Sequence, residues 1–180
     1  MLRRWFTALI ALEFLVIAGC AESKQTGTLG QSVSMRNGEL TVTRSEVSSA
    51  NGQLEVAVYF RWTGSAGDLL SGWWGPKLKM RLSDSGGKQY EPVRPKWSPI
   101  LPVPEEMYAV MRNVESYYQS KGRDKAYEAD VAASADRFRQ LETELKSGHN
   151  PVNWVHIFRV PSDSSGYTVI AGGVEVSLGR

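Results

Sequence analysis

The sequence predicts a mainly β protein, an antiparallel β-sandwich that carries an inserted helical hairpin. Three observations lead to this fold class. Residues 54–62 alternate between inward and outward side chains with a period of two, which is typical of an antiparallel strand. Residues 104–147 change to helical spacing, and strand-like spacing returns after Pro151. Several short strands separated by turn residues are typical of a sandwich.

The first strands begin near residue 39, where Leu40 and Val42 stand among polar residues. Asn51-Gly52 then gives a strong hairpin signal. The run that follows predicts a half-buried strand, because its spacing and β-branched content exclude a helix. One face carries Leu54, Val56, Val58, Phe60 and Trp62, and the other carries Glu55, Ala57, Tyr59 and Arg61.

A second hairpin is predicted over residues 77–93. Leu78, Met80 and Leu82 face inward, residues 84–87 form the turn, and residues 88–93 return. Five of the eight prolines then fall between residues 92 and 104, a stretch that the interior of a sheet excludes. The outward face of the first strand of this hairpin carries a basic stripe, formed by Lys77, Lys79 and Arg81. Anionic lipid or cell-wall polymer would fit this stripe, although such stripes are usually only solvated.

Two helices joined by a tight turn follow the prolines. Glu105 and Glu106 lie in the first turn of the first helix, where the helix dipole favours acidic groups, and this helix ends near Lys121-Gly122. The second helix runs from about residue 123 to residue 146. The apolar stripe of the first is Met107, Val110, Met111, Val114, Tyr117 and Tyr118, and that of the second is Tyr127, Val131, Ala135, Phe138, Leu141 and Leu145.

The last part of the chain returns to strands. Residues 152–161 are apolar on both faces, which predicts a central strand. Residues 167–170 and 174–178 form a final hairpin around Ala171-Gly172-Gly173.

The first residues predict export. Arg3 and Arg4 precede 14 mostly apolar residues, the order of a secretory signal peptide. A helix of that length spans about 21 Å, which is short for a hydrocarbon core of about 30 Å. Residues 1–19 carry two of the 21 basic and one of the 19 acidic side chains, so the other 161 residues have a net charge of +1. This balance argues against a nucleic-acid binder.

Ile17-Ala18-Gly19-Cys20 resembles the bacterial lipobox. The resemblance implies cleavage between Gly19 and Cys20 and a diacylglycerol on the Cys20 thiol. The acyl chains would hold the protein to a membrane. It also implies an outer-membrane address facing the periplasm in a Gram-negative host, because no aspartate follows Cys20. The alternatives are an ordinary secretory signal with a stray cysteine and a degenerate membrane helix. Cys20 is the only cysteine, so no disulfide is expected, and residues 20–38 have the polar composition of a flexible tether.

The strand order resembles the immunoglobulin-like domains of small exported bacterial proteins of unknown function. Those domains carry a polar-Leu-polar-hydrophobic-polar-Leu strand followed by Asp-x-x-Gly-Lys and Tyr, matched here by residues 77–82, Asp84, Gly87-Lys88 and Tyr90. A later Phe-x-Val-Pro is matched by residues 158–161. The resemblance covers residues 39–93 and 151–178 and does not extend to the helical hairpin at 104–147.

Signals for catalysis are thin. His149 and His156 lack further ligands at metal spacing, so neither a metal nor a cofactor is expected. His149 follows a helix C-terminus, where a cation is favourable, and His156 alternates with apolar strand residues. There is no nucleophile elbow and no phosphate loop. Four carboxylates that could pair as acid and base are more typical of a solvated helix face: Asp124, Glu128, Asp130 and Asp136.

Aromatic side chains are the best candidates for recognition. Trp73 and Trp74 lie between glycines, where they either bind a ligand or cap the core. Tyr117 and Tyr118 belong to more aromatic surface than two helices can hide between themselves, so the hairpin either packs on the sandwich or faces a partner. We expect a non-enzymatic binding or assembly module that meets another cell-envelope protein. The alternatives are a glycan or small-ligand module using Trp73 and Trp74 and, third, a hydrolase.

Overall fold

A computed structural model describes residues 25–35, 37–50, 52–66, 79–95, 98, 100–148 and 153–179. The predictions for Gly19, Cys20, Trp73, Trp74, Lys77 and His149 lie outside these residues.

Ten strands and two helices form within the described ranges. In chain order the strands are β1 (Gln25–Thr28), β2 (Ser32–Met35), β3 (Gly38–Ala50), β4 (Gln53–Trp62), β5 (Met80–Ser83), β6 (Gln89–Tyr90), β7 (Val103–Pro104), β8 (Trp154–Pro161), β9 (Thr168–Ala171) and β10 (Val174–Ser177). The helices are α1 (Glu105–Lys121) and α2 (Lys125–Lys146), which lie between β7 and β8.

The strands form two sheets. Sheet A has the order β1-β10-β9-β5-β6, and sheet B has the order β2-β3-β4-β8-β7. The pairs are antiparallel, apart from the parallel pair of β1 with β10. One apolar core joins side chains of both sheets, with Phe60, Trp154 and Phe158 fully buried. The prediction of a mainly β protein with two packed sheets and two helices is therefore confirmed.

The predicted tether over residues 20–38 is wrong from residue 25 to residue 35. Residues 25–28 extend the edge of sheet A beside β10, and residues 32–35 extend the edge of sheet B beside β3. Gly27 brings the two edges together, because a Cβ there would lie 3.1 Å from a methyl group of the buried Val33. Short edge strands bury few apolar side chains, so their composition looks like that of a linker.

Strand β4 is buried on both faces, although its alternation predicts a half-buried strand. Val56, Val58 and Phe60 face the core between the sheets, as expected. Ala57 and Tyr59 face the other way and are only 2% and 3% exposed, because the helical hairpin covers them. The turn before β4 matches its prediction, since β3 and β4 pair up to Ala50 and Gln53, and Gly52 takes a positive φ of 75°.

The helical hairpin packs on the outer face of sheet B. Met107, Tyr108 and Leu141 join a second apolar cluster with residues of β4 and β8. Asp124 starts α2, because its side chain accepts a hydrogen bond of 2.8 Å from the backbone N–H of Tyr127. No helix in the described part of the chain is long and apolar enough to cross a membrane.

The sandwich has two ends, which we name by one residue each. At the Gln25 end, Gly173 turns β9 into β10, and Gly38 lies against Gly64. At the Asp84 end, the N–H of Ser85 donates to the carbonyl of Ser165, which joins the β5–β6 turn to the β8–β9 turn.

Candidate functional site

Helix α1 runs towards the Asp84 end and extends past the sheet. It starts beside β8, where the N–H of Glu105 donates to the carbonyl of Asn153. Further along, Arg112 reaches Glu55 of β4 at 3.8 Å. Nine residues of α1 follow Arg112, which is about 13 Å of helix. Strand β4 begins only two residues before Glu55, so the sheet extends about 7 Å beyond Glu55 in the same direction. We call residues 113–131, which include the turn between the helices, the hairpin tip.

The apolar stripes of α1 and α2 are buried against the sheet near the base of the hairpin and become exposed at the tip. Met107 and Leu141 are buried against the sheet, but Tyr118 is 50% exposed and Val131 is 38% exposed. The rings of Tyr118 and Tyr127 lie 5.2 Å apart and are tilted by 40°. The tip therefore leaves Tyr118 and Val131 exposed and Tyr127 half-buried, and aromatic side chains at a surface are typical of interface anchors.

A groove of about 450 Å³ lies between the two helices. Val114 and Ser134 are buried within its lining, and Asp130 lies on α2 beside it. The guanidinium of Arg137 is held by both carboxylate oxygens of Glu106, at 2.8 and 3.1 Å, and by Glu144 at 3.2 Å. The full lining is Val110, Asn113, Val114, Tyr117, Asp130, Ala133, Ser134 and Arg137.

Tyr117 has a structural role that the sequence did not predict. Its hydroxyl donates a hydrogen bond of 2.8 Å to Asp124, the residue that also caps α2. This bond raises the pKa of Tyr117, and the bonds from the Tyr127 N–H and the Tyr117 hydroxyl lower the pKa of Asp124. Tyr117 thus holds the turn between the helices, whereas Tyr118, next in the chain, is the more exposed of the two predicted tyrosines.

The four carboxylates considered as candidate acids and bases each have a different environment. Asp124 is the helix cap described above, and Asp136 pairs with Arg139 one turn along α2. Glu128 lies on the exposed surface, and Asp130 lines the groove. No group of three or more metal-ligating side chains occurs within the described ranges.

His156 lies inside the sandwich core. Its ring stacks on Phe60 at 5.4 Å and lies 6.1 Å from Phe158. Burial lowers its pKa to about 3, so the imidazole is neutral near pH 7. Its Nδ1 atom has no hydrogen-bond partner among the described residues. His156 is therefore the packed strand residue that its alternation with apolar neighbours indicates.

The basic stripe is partly neutralised. Arg81 pairs with Glu91 at 2.6 Å and contacts Gln89 at 3.3 Å. Lys79 is exposed at the Gln25 end of β5.

A polar cluster between β3 and the start of α1 escaped the sequence analysis. The guanidinium of Arg44 lies 3.6 Å from the centre of the Tyr59 ring and bonds Glu105 at 2.8 Å. The Tyr59 hydroxyl donates to Glu46 at 2.9 Å. Burial and Glu46 raise the pKa of Tyr59, so its hydroxyl stays protonated. Arg44 and Glu105 are 61 positions apart, and no local pattern connects residues at that separation.

Comparison with protein-family models, curated proteins and solved structures finds no significant match to this chain.

Proposed function

We propose that this chain is a non-enzymatic binding module of the bacterial cell envelope, held to a membrane by lipid on Cys20 and binding a partner protein through its hairpin tip. The observation that carries the proposal is the exposed surface of Tyr118 and Val131 beside the half-buried Tyr127, on a hairpin that extends past its sheet. A hairpin that only covered the sandwich would end where the sheet ends. Exposed aromatic and aliphatic groups that lie together are typical of interaction sites.

The anchor is supported by the sequence order of basic residues, apolar run and lipobox-like Ile17-Ala18-Gly19-Cys20. Two or more acyl chains hold a protein stably, whereas one chain is marginal. In a Gram-negative host the proposed address is the outer membrane, facing the periplasm.

The immunoglobulin-like classification of the sandwich is part of the proposal. Its support is the Asp-x-x-Gly-Lys and Tyr motif, whose first and last residues are hydrogen-bonded at the turn after β5. The hairpin is the part that distinguishes this chain from that pattern, so we assign the specific binding to it.

Site-specific photo-crosslinking in cells tests the proposal. A crosslinking residue replaces Tyr118, and a matched control replaces Ser162, which is exposed in the β8–β9 turn of the sandwich. We expect one defined envelope protein to be captured from position 118 and not from position 162. The double variant Tyr118→Ser and Val131→Ser, with a crosslinker at Ser120, should lose that product.

The same double variant must keep its near-UV circular dichroism, because both side chains are exposed in the free domain. Equal products from positions 118 and 162, or capture that survives the double variant, would remove the tip from the interaction. Quenching of tryptophan fluorescence by cell-wall fragments without any crosslink would instead favour the glycan reading based on Trp73 and Trp74.

A further inference from the structure

We propose that the Gln25 end of the sandwich faces the bilayer and that the hairpin tip points away from it, so that the partner is met at the membrane-distal end. This inference rests on the proposed lipid on Cys20. The orientation specifies which surface of the domain faces the membrane and how far from the membrane the partner-binding surface lies.

The distance between anchor and domain is short because β1 begins at Gln25. Only residues 21–24 separate Gln25 from Cys20, and an extended chain covers at most about 18 Å over the five steps between these Cα atoms. Strand β3 runs 13 residues from one end of the sandwich to the other, which is about 40 Å. The link is therefore much shorter than the domain, and the end where β1 starts stays close to the lipid.

The strand directions place that start at one end of both sheets. In sheet A, Gln25 pairs with Val174, directly after the β9–β10 turn. Gly27 lies beside Val33 of sheet B, and Val33 pairs with Leu40, two residues from the start of β3. Residues Gly38 and Gly64, which touch each other, therefore share this end with Gln25.

The hairpin leaves in the opposite direction. Helix α1 starts beside Trp154, the first residue of β8, and passes Glu55 near the start of β4. Because β4 and β8 are antiparallel, the start of β4 and the end of β8 lie together, and Gln53 pairs with Pro161 there. The tip continues past this point, and so it lies at the Asp84 end, away from Gln25.

Both ends of the domain carry charges of both signs. The described turn residues at the Gln25 end, 37–38, 63–66, 79 and 172–173, include Lys79 and no acidic side chain. Glu39 lies directly after the turn at residues 37–38 and accepts a hydrogen bond of 3.0 Å from Ser32, and Glu105 and Glu106 begin α1 beside Trp154 at the same end. The opposite end carries Asp84 and Asp163 but also Lys88, and the turn of the hairpin tip carries Lys121, Arg123 and Lys125. Charge therefore does not decide which end meets an anionic bilayer, and the orientation rests on the short link to Cys20 and on the strand directions.

Fluorescence quenching on vesicles tests the orientation. The full lipidated chain carries a fluorophore on Asn37→Cys, at the Gln25 end, or on Ala126→Cys, at the tip; both positions are exposed. Lipid on Cys20 leaves the introduced cysteine as the single free thiol. The vesicles contain phosphatidylcholine and phosphatidylglycerol, with a nitroxide on part of the phosphatidylcholine head groups. Near-UV circular dichroism first shows that both variants fold.

We expect the nitroxide to quench the label at position 37 several-fold more strongly than the label at position 126. A flexible Gly-Ser segment inserted after Lys24 should weaken the quenching at position 37. Equal quenching at both positions, or stronger quenching at 126, on protein that floats with the vesicles would overturn the orientation while leaving the anchor intact. Protein that carries no lipid on Cys20 by mass spectrometry and does not float would overturn the anchor, and the orientation with it.

Discussion

The carboxylate of Asp84 accepts a hydrogen bond of 2.7 Å from the hydroxyl of Tyr90, across the turn that joins β5 to β6. The other oxygen of the same carboxylate accepts from the backbone N–H groups of Gly86 at 3.0 Å and Lys88 at 2.9 Å. Gly87 takes a positive φ of 79°, which glycine adopts without strain. The spacing Asp-x-x-Gly-Lys and Tyr is thus the geometry of one hydrogen-bonded turn.

Replacing Asp84 should destabilise the domain more than replacing its partner. Asp84→Ala leaves two backbone donors and the Tyr90 hydroxyl without their acceptor, whereas Tyr90→Phe removes one donor only. We expect a larger fall in the urea midpoint for Asp84→Ala than for Tyr90→Phe. Equal midpoints for the two variants would show that the backbone bonds of Asp84 contribute nothing to stability.

His156 should make the domain less stable in acid. Burial lowers its pKa from 6.5 to about 3 in the folded state. Between these values the unfolded chain binds a proton that the folded chain does not, so this contribution to stability is complete above pH 6.5 and falls as the pH decreases. The slope is about 1.4 kcal/mol per pH unit within that window.

The measurement compares urea unfolding of the wild type and of His156→Leu from pH 7 to pH 4. Asp84 and the other carboxylates titrate in both proteins, so their contributions cancel in the difference between the two curves. We expect the difference to change with pH in favour of the leucine variant as acid is added. Parallel curves would mean that the imidazole binds a proton as readily in the folded core as in the unfolded chain.

The sequence predicted what depends on local periodicity. The alternation of residues 54–62, the Asn51-Gly52 turn and the two helices at 104–147 each follow from neighbours within a few positions. The edge strands β1 and β2 were missed because an edge strand buries only part of one face and carries polar residues on the rest.

Contacts between distant parts of the chain were the other limit to prediction. The second buried face of β4 and the Arg44–Glu105 bond need the hairpin to fold back on sheet B, which no spacing encodes. At the candidate site, the surplus of aromatic residues left two outcomes open, packing on the sandwich or exposure; the base of the hairpin packs on sheet B, and Tyr118 is exposed. Tyr117 was grouped with it because the stripe does not show that Asp124, across the turn, accepts its hydroxyl proton.

Gly64→Ala should be strongly destabilising. A Cβ at this position would lie 2.4 Å from the carbonyl oxygen of Asn37 and 2.6 Å from the indole ring of Trp62. Trp62 is buried, and its indole N–H donates to the carbonyl of Ser65 at 3.0 Å, so neither neighbour moves freely. Forcing extra atoms into a packed site costs about 1–3 kcal/mol.

Gly86→Ala is the matched control for this substitution. Its Cβ would meet only the Asp84 carboxylate, at 3.3 Å, in an exposed turn. Urea unfolding should therefore give a much smaller loss of stability for Gly86→Ala. A loss for Gly64→Ala as small as that for Gly86→Ala would mean that the contact between the Asn37 turn and the segment after β4 relaxes easily.

The bond between Arg137 and Glu106 should contribute little to stability despite its two-pronged geometry. Their side chains are 32% and 59% exposed, and exposed ion pairs are typically worth about 1 kcal/mol or less. Arg137 lowers the pKa of Glu106, so what stability the pair gives is present above the pKa of the unfolded carboxyl and is lost as acid protonates it.

A double-mutant cycle of Arg137→Met and Glu106→Gln measures this coupling. We expect at most about 1 kcal/mol at low salt and a smaller value at high salt, because salt screens exposed charges. The Arg139–Asp136 pair, 73% and 71% exposed, is the control and should couple less. A coupling of several kcal/mol that resists salt would contradict the prediction. Weak coupling would show that this ion pair adds little to the packing of α1 against α2, so that variants of either residue would leave the domain folded.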